Sequence, residues 1–329
     1  MARNGKQPVS GESPFKRRMA GAGEGPQAEG CGVTLYKEVT DRIIRELGQG
    51  RVPWVQPWGS ARAALGLPKN AATGRSYSGI NVLILWGAVI EEGFPSQHWL
   101  TFRQALALGG HVMKGERGTS VCYADRFTPR AEIERVAREG GEPDVVPFLK
   151  RFTVFNAAQC EGLPEHVLAA APVALECEII PHAEAVIAAT GADFRIGGDK
   201  AFYDPAEDYI GVPPQPAFFH QIDYYRTALH ELGHWTGHPK RLNRDLSGAM
   251  RSQAYAREEL VAELASAFLC ASLAIVPTVR HADYLGAWLE VLREDARAIF
   301  RAASQAAKAA DFVLGAKQDA VPEHRETAE

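Results

Sequence analysis

The order of hydrophobic and polar positions predicts several helices in the first half of the chain. Apolar side chains recur at every fourth position of the segment 34–48, at Leu35, Val39, Ile43 and Leu47. This spacing places them on one face of a helix, which Thr34 can cap and Gly48 can end. An apolar run predicts a second helix over residues 82–91, and a third is predicted over 101–108.

A strand and its return are predicted after the third helix. A turn between Gly115 and Gly118 precedes a β-rich run that ends near Phe127, and the alternating segment 148–156 (FLKRFTVFN) is predicted to be the returning strand. Residues 129–147, which lie between them, carry eight charged side chains and three prolines. We expect this insertion to be solvated, because it has little apolar surface to bury.

The second half of the chain combines short strands with longer helices. Helices are predicted over residues 183–190, 218–236 and 254–274, followed by a long alanine-rich helix over 281–310. Short strands are predicted in DFRIGG and AFYDPAEDYIGVP, which lie between the first two of these helices. The strand at 208–214 is expected to be an edge strand, along which an extended peptide can pair.

Composition limits the class of protein. The 329 residues are 46% hydrophobic and 23% charged, as in ordinary globular proteins, and no window approaches 18 uninterrupted apolar residues. The five cysteines are scattered and form no C-x-x-C pair, which favours a reducing compartment over a disulfide framework. We therefore expect a cytoplasmic protein that does not enter a membrane.

The distribution of Gly, Pro and charged residues divides the chain into five parts. Residues 1–30 lack apolar periodicity and include the cluster Lys16-Arg17-Arg18, so we predict a disordered basic tail. Residues 164–176 are predicted to be a linker and 316–329 a second tail. The remaining segments, 31–163 and 177–315, are each long enough to form a domain.

One motif predicts a metal site. His230-Glu231-Leu232-Gly233-His234 matches H-E-x-x-H within the helix predicted over 218–236. Residues four apart lie one turn above each other, so both imidazoles can reach one ion from the same face of a helix. Glu231 lies close to that face and can accept a proton from metal-activated water. We therefore predict His230 and His234 as metal ligands and Glu231 as the catalytic base.

A catalytic zinc site needs a third protein ligand. Lys240 occupies the last position of the extended motif H-E-x-x-H-x-x-G-x-x-H, where a protonated lysine cannot ligate. The helix predicted over 254–274 offers Glu259 and Glu263, which are four residues apart and share a face. One can bind the metal while the other orients a histidine, and the helix geometry fits either order. Glu258 faces elsewhere and is expected to be a solvated charge.

The first half of the chain combines positive charge with aromatic residues. Residues 1–163 carry 21 Lys and Arg against 16 Asp and Glu, whereas 164–329 carry 15 against 24. Proteins hold single strands without sequence preference by basic contacts to phosphates and by aromatic rings that stack on bases. The candidates in turn-like polar segments are Arg75, Tyr77, Lys114 and Arg117. Trp86 and Phe102 are expected to be buried instead.

Several segments resemble ArdC-type antirestriction proteins. TGRSYSGIN (73–81), LTFRQALALGGHVMKGERGTSV (100–121) and FTVFNAAQCEGLP (152–164) resemble an N-terminal domain that also occurs in TraC-type plasmid primases. HELGHWTGHPKRLNRDLSG (230–248) and YAREELVAELASAFLC (255–270) resemble the zincin-like C-terminal domain of that family. The E-x-x-x-E spacing is also similar to the gluzincin pattern E-x-x-x-D, which implies that Glu259 is the ligand and that Glu263 orients a histidine.

The resemblance implies an α+β protein with two domains. The N-terminal domain would bind single-stranded DNA, and the zincin-like domain would carry a zinc-dependent peptidase site, with Mn²⁺ as another possible metal. Such a protein, encoded on a mobile element, would protect incoming DNA from restriction and act on a protein substrate that the sequence does not identify. The alternative is a DNA-binding shield whose metal is structural or vestigial. The intact Glu231 favours catalysis, because a structural ion needs no base.

Overall fold

A computed structural model gives the fold of residues 28–55, 66–168, 180–220, 222–249, 252–277 and 284–319. Most of the predicted N-terminal tail, part of the predicted linker and the last ten residues lie outside these described ranges. Trp58, one of the aromatic residues of the first half, lies outside them as well. The fold within the described ranges is mixed helix and sheet, as the sequence predicts.

Helices make up most of the described fold. They are α1 (Ala28–Gly48), α2 (Ile80–Glu92), α3 (Phe102–Ala107), α4 (Arg130–Glu139), α5 (Glu165–Leu168), α6 (Pro181–Ala189), α7 (Ile222–Trp235), α8 (Gln253–Ser272), α9 (Leu285–Glu294) and α10 (Ala298–Asp319). None of these helices is long and apolar enough to cross a membrane.

The strands are short except for one hairpin. They are β1 (Lys69–Asn70), β2 (His98–Leu100), β3 (His111–Val112), β4 (Thr119–Phe127), β5 (Val146–Asn156), β6 (Cys160–Glu161), β7 (Asp193–Ile196), β8 (Phe202–Asp204) and β9 (Tyr209–Val212). The predicted strand and its return are β4 and β5, which pair antiparallel from Thr119 opposite Val154 to Phe127 opposite Val146. This pair lies at one side of a sheet with the order β1-β2-β5-β4.

The charged insertion 129–147 forms part of this hairpin. It contains the helix α4, which the sequence pattern did not predict, and β5 begins at its end. No residue of α4 is buried. Ion pairs within the helix, such as Arg130 with Glu134, stabilise it instead of apolar packing. The expectation of a solvated segment is therefore confirmed, although the segment is helical.

A second sheet precedes the helix that carries the H-E-x-x-H motif. Its order is β7-β9-β8, with β9 parallel to β7 and antiparallel to β8. The expectation that the strand at 208–214 is an edge strand is therefore wrong, because β9 has a hydrogen-bonded neighbour on both sides. The edge strands of this sheet are β7 and β8.

The hydrophobic core joins the two halves of the chain. Trp54, which follows α1, packs on Trp288 of α9 with ring centroids 5.7 Å apart. Trp86 of α2 packs on Phe268 of α8 at 5.8 Å, so it is buried as expected. One cluster of buried side chains includes all four rings. Helix α8 of the second half thus packs against α2 of the first half. The domain boundaries at 31–163 and 177–315 stay predictions.

Two of the predicted helices differ substantially from the structure. Helix α1 begins at Ala28, so Thr34 lies inside the helix and not at its N-terminus, where it was predicted. The single helix predicted over 281–310 is two helices, α9 and α10. Between them the Asp295 carboxylate accepts a hydrogen bond from the backbone N–H of Arg297 at 2.8 Å, a local turn that interrupts the helix. Helix α10 continues to Asp319, past the predicted start of the C-terminal tail.

Candidate metal centre and nucleic-acid surface

Two packed helices carry the candidate metal centre. Helix α7 contains the H-E-x-x-H motif, and α8, which packs against it, contributes three glutamates. The imidazole centroids of His230 and His234 are 4.9 Å apart, as expected for residues one turn apart on a helix. His230 is 1% exposed and Glu259 is 3% exposed, so both lie in the interior, whereas the side chain of His234 is 13% exposed and lies nearer the solvent.

Three side chains converge on one point between these helices. The carboxylate of Glu259 lies 3.5 Å from Nε2 of His230 and 3.5 Å from Nε2 of His234. One ligand atom from each of the three residues lies within 4.8 Å of the other two. Two imidazole nitrogens and one carboxylate oxygen are a donor set that suits a catalytic divalent ion, with a coordination position left for water or substrate.

The ring nitrogens of the two histidines that face away from Glu259 each contact a different glutamate. Nδ1 of His230 lies 3.2 Å from Glu263, and Nδ1 of His234 lies 3.3 Å from Glu258. Helix spacing left open which of Glu259 and Glu263 binds the metal and which orients a histidine. In the structure Glu259 faces both Nε2 atoms, whereas Glu263 contacts Nδ1 of His230. The expectation that Glu258 is a solvated charge is wrong, because this carboxylate is buried and also pairs with Arg244.

The carboxylates change the proton affinity of the two imidazoles. Burial by itself lowers the pKa of His234, but Glu258 and Glu259 outweigh burial and raise the pKa to about 10. The pKa of His230 is also raised, since Glu259 and Glu263 together outweigh its burial. A divalent ion binds the neutral imidazole, so metal binding at neutral pH releases the proton of His234.

A cavity of about 220 Å³ opens beside the three converging side chains. Glu231 lines it together with His230 and His234, so the motif's carboxylate faces the same space as the candidate ligands. Another wall is formed by Phe202 and Tyr203 of β8, the edge strand that precedes α7. The edge strand beside the site is therefore β8 and not the strand at 208–214.

Tyr255 also lines this cavity. It precedes Glu259 by four residues on α8, which places both side chains on one face of the helix. Burial first, and then a hydrogen bond to Glu259, raise the pKa of Tyr255 above its ordinary value, so the phenol stays protonated and donates to that carboxylate. Sequence spacing alone did not single out Tyr255 as a residue of the site, and its position in the cavity does.

The second variable position of the motif is occupied by Gly233, where α7 packs tightly against α8. A Cβ atom at this position would lie 3.1 Å from the Cα and 3.2 Å from the carbonyl oxygen of Ala262. Those atoms are helix backbone, which cannot move without shifting α8 and the glutamates that it carries.

We expect Gly233→Ala to destabilise the protein and to weaken metal binding. The helix propensity of alanine favours the variant by about 1 kcal/mol, but overpacking against Ala262 costs about 1–3 kcal/mol. Thermal unfolding and zinc titration measure the two effects. The matched control is Gly315→Ala on α10, where a Cβ atom would contact nothing within 4 Å. A Gly233→Ala variant as stable as Gly315→Ala would contradict this packing argument.

The candidate DNA-binding residues lie on the surface of the first half, with one exception. Arg75, Lys114 and Arg117 are exposed. Tyr77 is half-buried and packs against the core, and burial raises the pKa of its phenol. Lys114 and Arg117 lie in the turn that precedes β4. This turn is packed tightly onto β5, since a Cβ atom at Gly118 would lie 2.4 Å from the side chain of Thr153.

Two exposed aromatic rings lie farther along the β4–β5 hairpin. Tyr123 and Phe152 are 49% and 46% exposed, and their ring centroids are 5.8 Å apart in an edge-to-face arrangement. Lys150, the register partner of Tyr123, is exposed beside them. The expectation that Phe102 is buried is wrong: its ring is 52% exposed at the start of α3. The alternation of β5 placed Phe152 on a strand but gave no sign that it would be exposed.

Comparison with known proteins gives the class of both halves. Residues 181–305 match the family model described as a zincin-like metallopeptidase. Residues 33–155 match the model of the N-terminal domain of anti-restriction factor ArdC. The two-domain α+β fold is therefore confirmed, with a zincin-like domain that contains the His230, His234 and Glu259 group.

Whole-chain relatives identify the family. The metal-free crystal structure of antirestriction ArdC protein from the R388 plasmid is 41% identical, with a TM-score of 0.73, over 87% of this chain and 98% of that one. Its Mn(II)-bound structure is 39% identical, with a TM-score of 0.72, over 87% of this chain and 99% of that one. An uncharacterised protein, y4eC of Sinorhizobium fredii, is 40% identical over 87% of this chain and 93% of its own.

The chain belongs to the ArdC family of antirestriction proteins. Its sequence also resembles DNA primase TraC of Escherichia coli, at 39% identity over 88% of this chain. That match spans 28% of the primase's length. The shared region is therefore a part of TraC, whereas it is nearly the whole of the ArdC chain.

Proposed function

We propose that this protein binds single-stranded DNA and hydrolyses peptide bonds at a zinc site, as an antirestriction protein of a mobile element. The observation that supports the hydrolytic half most strongly is the placement of Glu231, which faces the same cavity as two imidazoles and a carboxylate that converge at metal-binding distance. A metal that only held the fold together would need no carboxylate there.

His230, His234 and Glu259 would hold the metal, and Glu263 would orient His230. Zn²⁺ suits this donor set, and the Mn(II)-bound structure of a relative supports Mn²⁺ as another candidate. When bound, the ion would polarise the substrate carbonyl and acidify the attacking water. Glu231 would accept the proton of that water and pass it to the departing amine.

The peptide would lie along β8. This strand is an edge of its sheet and forms a wall of the cavity, so an extended segment of a protein substrate can pair with its backbone. Tyr255, on the opposing helix α8, would donate a hydrogen bond to Glu259 and keep that carboxylate in place. We further infer that the protein acts in the cytoplasm, where DNA and restriction enzymes meet.

The DNA-binding surface would lie on the first half of the chain. Exposed Arg75, Lys114 and Arg117 would contact phosphates, while the half-buried Tyr77 would contribute at most the edge of its ring. The exposed pair Tyr123 and Phe152, which the motif pattern did not single out as a pair, would offer a surface on which bases can stack. Both kinds of contact are independent of base sequence, so we expect binding without sequence preference.

Replacing Lys114 and Arg117 together with alanine should weaken binding to a labelled oligothymidine and flatten its dependence on salt. Each lost phosphate contact lowers the slope of log K against log[salt] by about 0.7 for a single strand, so the double variant should lose about 1.4. Fluorescence anisotropy at several salt concentrations measures both effects, and metal content should not change.

The matched control is Lys308→Ala, which removes an exposed lysine from α10 in the other half of the chain. Its affinity and its salt slope should equal those of the wild type. Equal salt slopes for the double variant and the wild type would exclude this surface, and a wild-type chain that fails to bind at low salt would exclude the nucleic-acid role as a whole.

A further inference from the structure

The loop that follows α7 delivers a buried arginine to the candidate metal centre. Arg244 lies in the segment RLNRDLSG (241–248), between α7 and α8. Its side chain is 6% exposed. The loop folds back on the end of α7, where the backbone N–H of Arg244 donates to the carbonyl of Gly237 at 2.8 Å.

All three guanidinium nitrogens of Arg244 donate hydrogen bonds. Nε and Nη2 bind the two carboxylate oxygens of Glu258 at 3.0 and 2.7 Å. Nη2 also binds the carbonyl of Gly233 at 2.6 Å, and Nη1 binds the hydroxyl of Thr236 at 2.8 Å. The arginine therefore fixes the plane of the Glu258 carboxylate relative to the turn of α7 that carries His234.

The fixed carboxylate is the one that contacts His234. Oε1 of Glu258 lies 3.3 Å from Nδ1 of this histidine, while Nε2 of the same ring faces Glu259. A carboxylate that accepts a hydrogen bond from Nδ1 selects the tautomer whose Nε2 lone pair is available to a metal. A planar, bidentate guanidinium sets that direction more strictly than a lysine could.

We propose that Arg244 and Glu258 form a positioning pair that holds the His234 ring in its metal-binding orientation. The inference rests on the metal site proposed above and adds a distinct element to it: each histidine has its own orienting carboxylate, and that of His234 is itself held by an arginine. Glu263 serves His230 from within the core, whereas His234 lies at the solvent side and needs an additional constraint.

The same loop supplies a matched control. Arg241, three residues earlier, forms a two-pronged ion pair with Asp208 and donates from Nε to the carbonyl of Trp235 at 2.6 Å. Its side chain is 10% exposed, so it is nearly as buried as Arg244. It contacts neither His230 nor His234 in the described residues. Replacing each arginine in turn therefore distinguishes an effect on the loop from an effect on the position of His234.

The test measures metal binding by Arg244→Met, Glu258→Gln and Arg241→Met. Competition with a chromogenic chelator gives the Zn²⁺ affinity, and the visible spectrum of the Co²⁺-loaded protein reports the ligand geometry. We expect Arg244→Met and Glu258→Gln each to weaken Zn²⁺ binding by about 10- to 100-fold and to alter the cobalt spectrum. The double variant should be little weaker than either single one, because both changes remove one interaction. Arg241→Met should keep the wild-type affinity and spectrum.

Three other results would contradict the positioning pair or the metal site. Wild-type affinity in folded Arg244→Met or Glu258→Gln, or an equal loss in Arg241→Met, would overturn the positioning role. If Arg244→Met fails to fold, Arg244→Lys replaces it, since a lysine keeps the charge and loses the fork; wild-type affinity in that variant is equally decisive against the proposal. A wild-type chain that binds neither ion would overturn the metal site itself, a failure distinct from that of the positioning pair.

Discussion

A Glu231→Gln variant will retain its metal and lose peptide hydrolysis. The change removes the carboxylate that accepts the proton of the attacking water but leaves His230, His234 and Glu259 untouched. General acid–base catalysis contributes about 10²- to 10⁴-fold to rate, so we expect a loss of that size. The measurement is cleavage of fluorescently labelled casein by the zinc-loaded protein, with the zinc content determined for the same samples.

The control is Glu290→Gln on α9, a glutamate outside the cavity whose loss should change neither cleavage nor zinc content. DNA binding should be equal in both variants and the wild type, because the first half of the chain is unaltered. If the zinc-loaded wild type cleaves no faster than Glu231→Gln, the peptidase proposal fails. The alternative of a non-proteolytic shield with a structural or vestigial metal would then be favoured.

A His234→Ala variant will lose most of its affinity for divalent metal. It removes one of three converging ligands, so the loss should exceed the roughly 10- to 100-fold that disturbing an orienting residue costs. Glu258 keeps its ion pair with Arg244 in this variant, so no buried carboxylate is left alone on that side and the chain should still fold. Isothermal titration with Zn²⁺ measures the affinity.

Thermal unfolding provides an independent readout of the same change. Zinc at about 100 times its dissociation constant stabilises a folded protein by about 2.7 kcal/mol, so zinc should raise the melting temperature of the wild type and leave that of His234→Ala unchanged. His238→Ala is the control, because Nδ1 of His238 contacts Asp208 and the backbone of Lys240. Equal zinc stabilisation of His234→Ala and His238→Ala would contradict the proposed ligand set.

The role of Glu258 could not be predicted from helix spacing. Adjacent residues on a helix point about 100° apart, so Glu258 and Glu259 cannot face the same atom. Spacing therefore placed Glu258 outside the site, where solvent was the expected neighbour. In the structure that direction is occupied by the loop after α7, whose arginine balances the charge of Glu258. A contact between a loop residue and a helix residue that are 14 positions apart, as Arg244 and Glu258 are, leaves no periodic signal.

The break between α9 and α10 was also not predicted, although its cause is local. The alanine-rich sequence contains neither proline nor glycine near Asp295, so its composition favours a continuous helix. The Asp295 carboxylate accepts a hydrogen bond from the backbone N–H of Arg297, and this bond competes with the helix there. The exposure of Phe102 and Phe152 depends instead on which neighbours cover a strand or helix, and local sequence does not specify those neighbours.

The sequence by itself determined the helix periodicity, the long hairpin strands, the H-E-x-x-H motif and the family, because each of these depends on residues that are close together along the chain. Only the tertiary structure decided that Glu259 faces both histidines, that β8 forms the edge beside the cavity, and that the two halves share a core. Those features depend on how α7, α8 and the loop around Arg244 pack. The sequence does not show this packing, because it brings together residues that are far apart along the chain at no regular spacing.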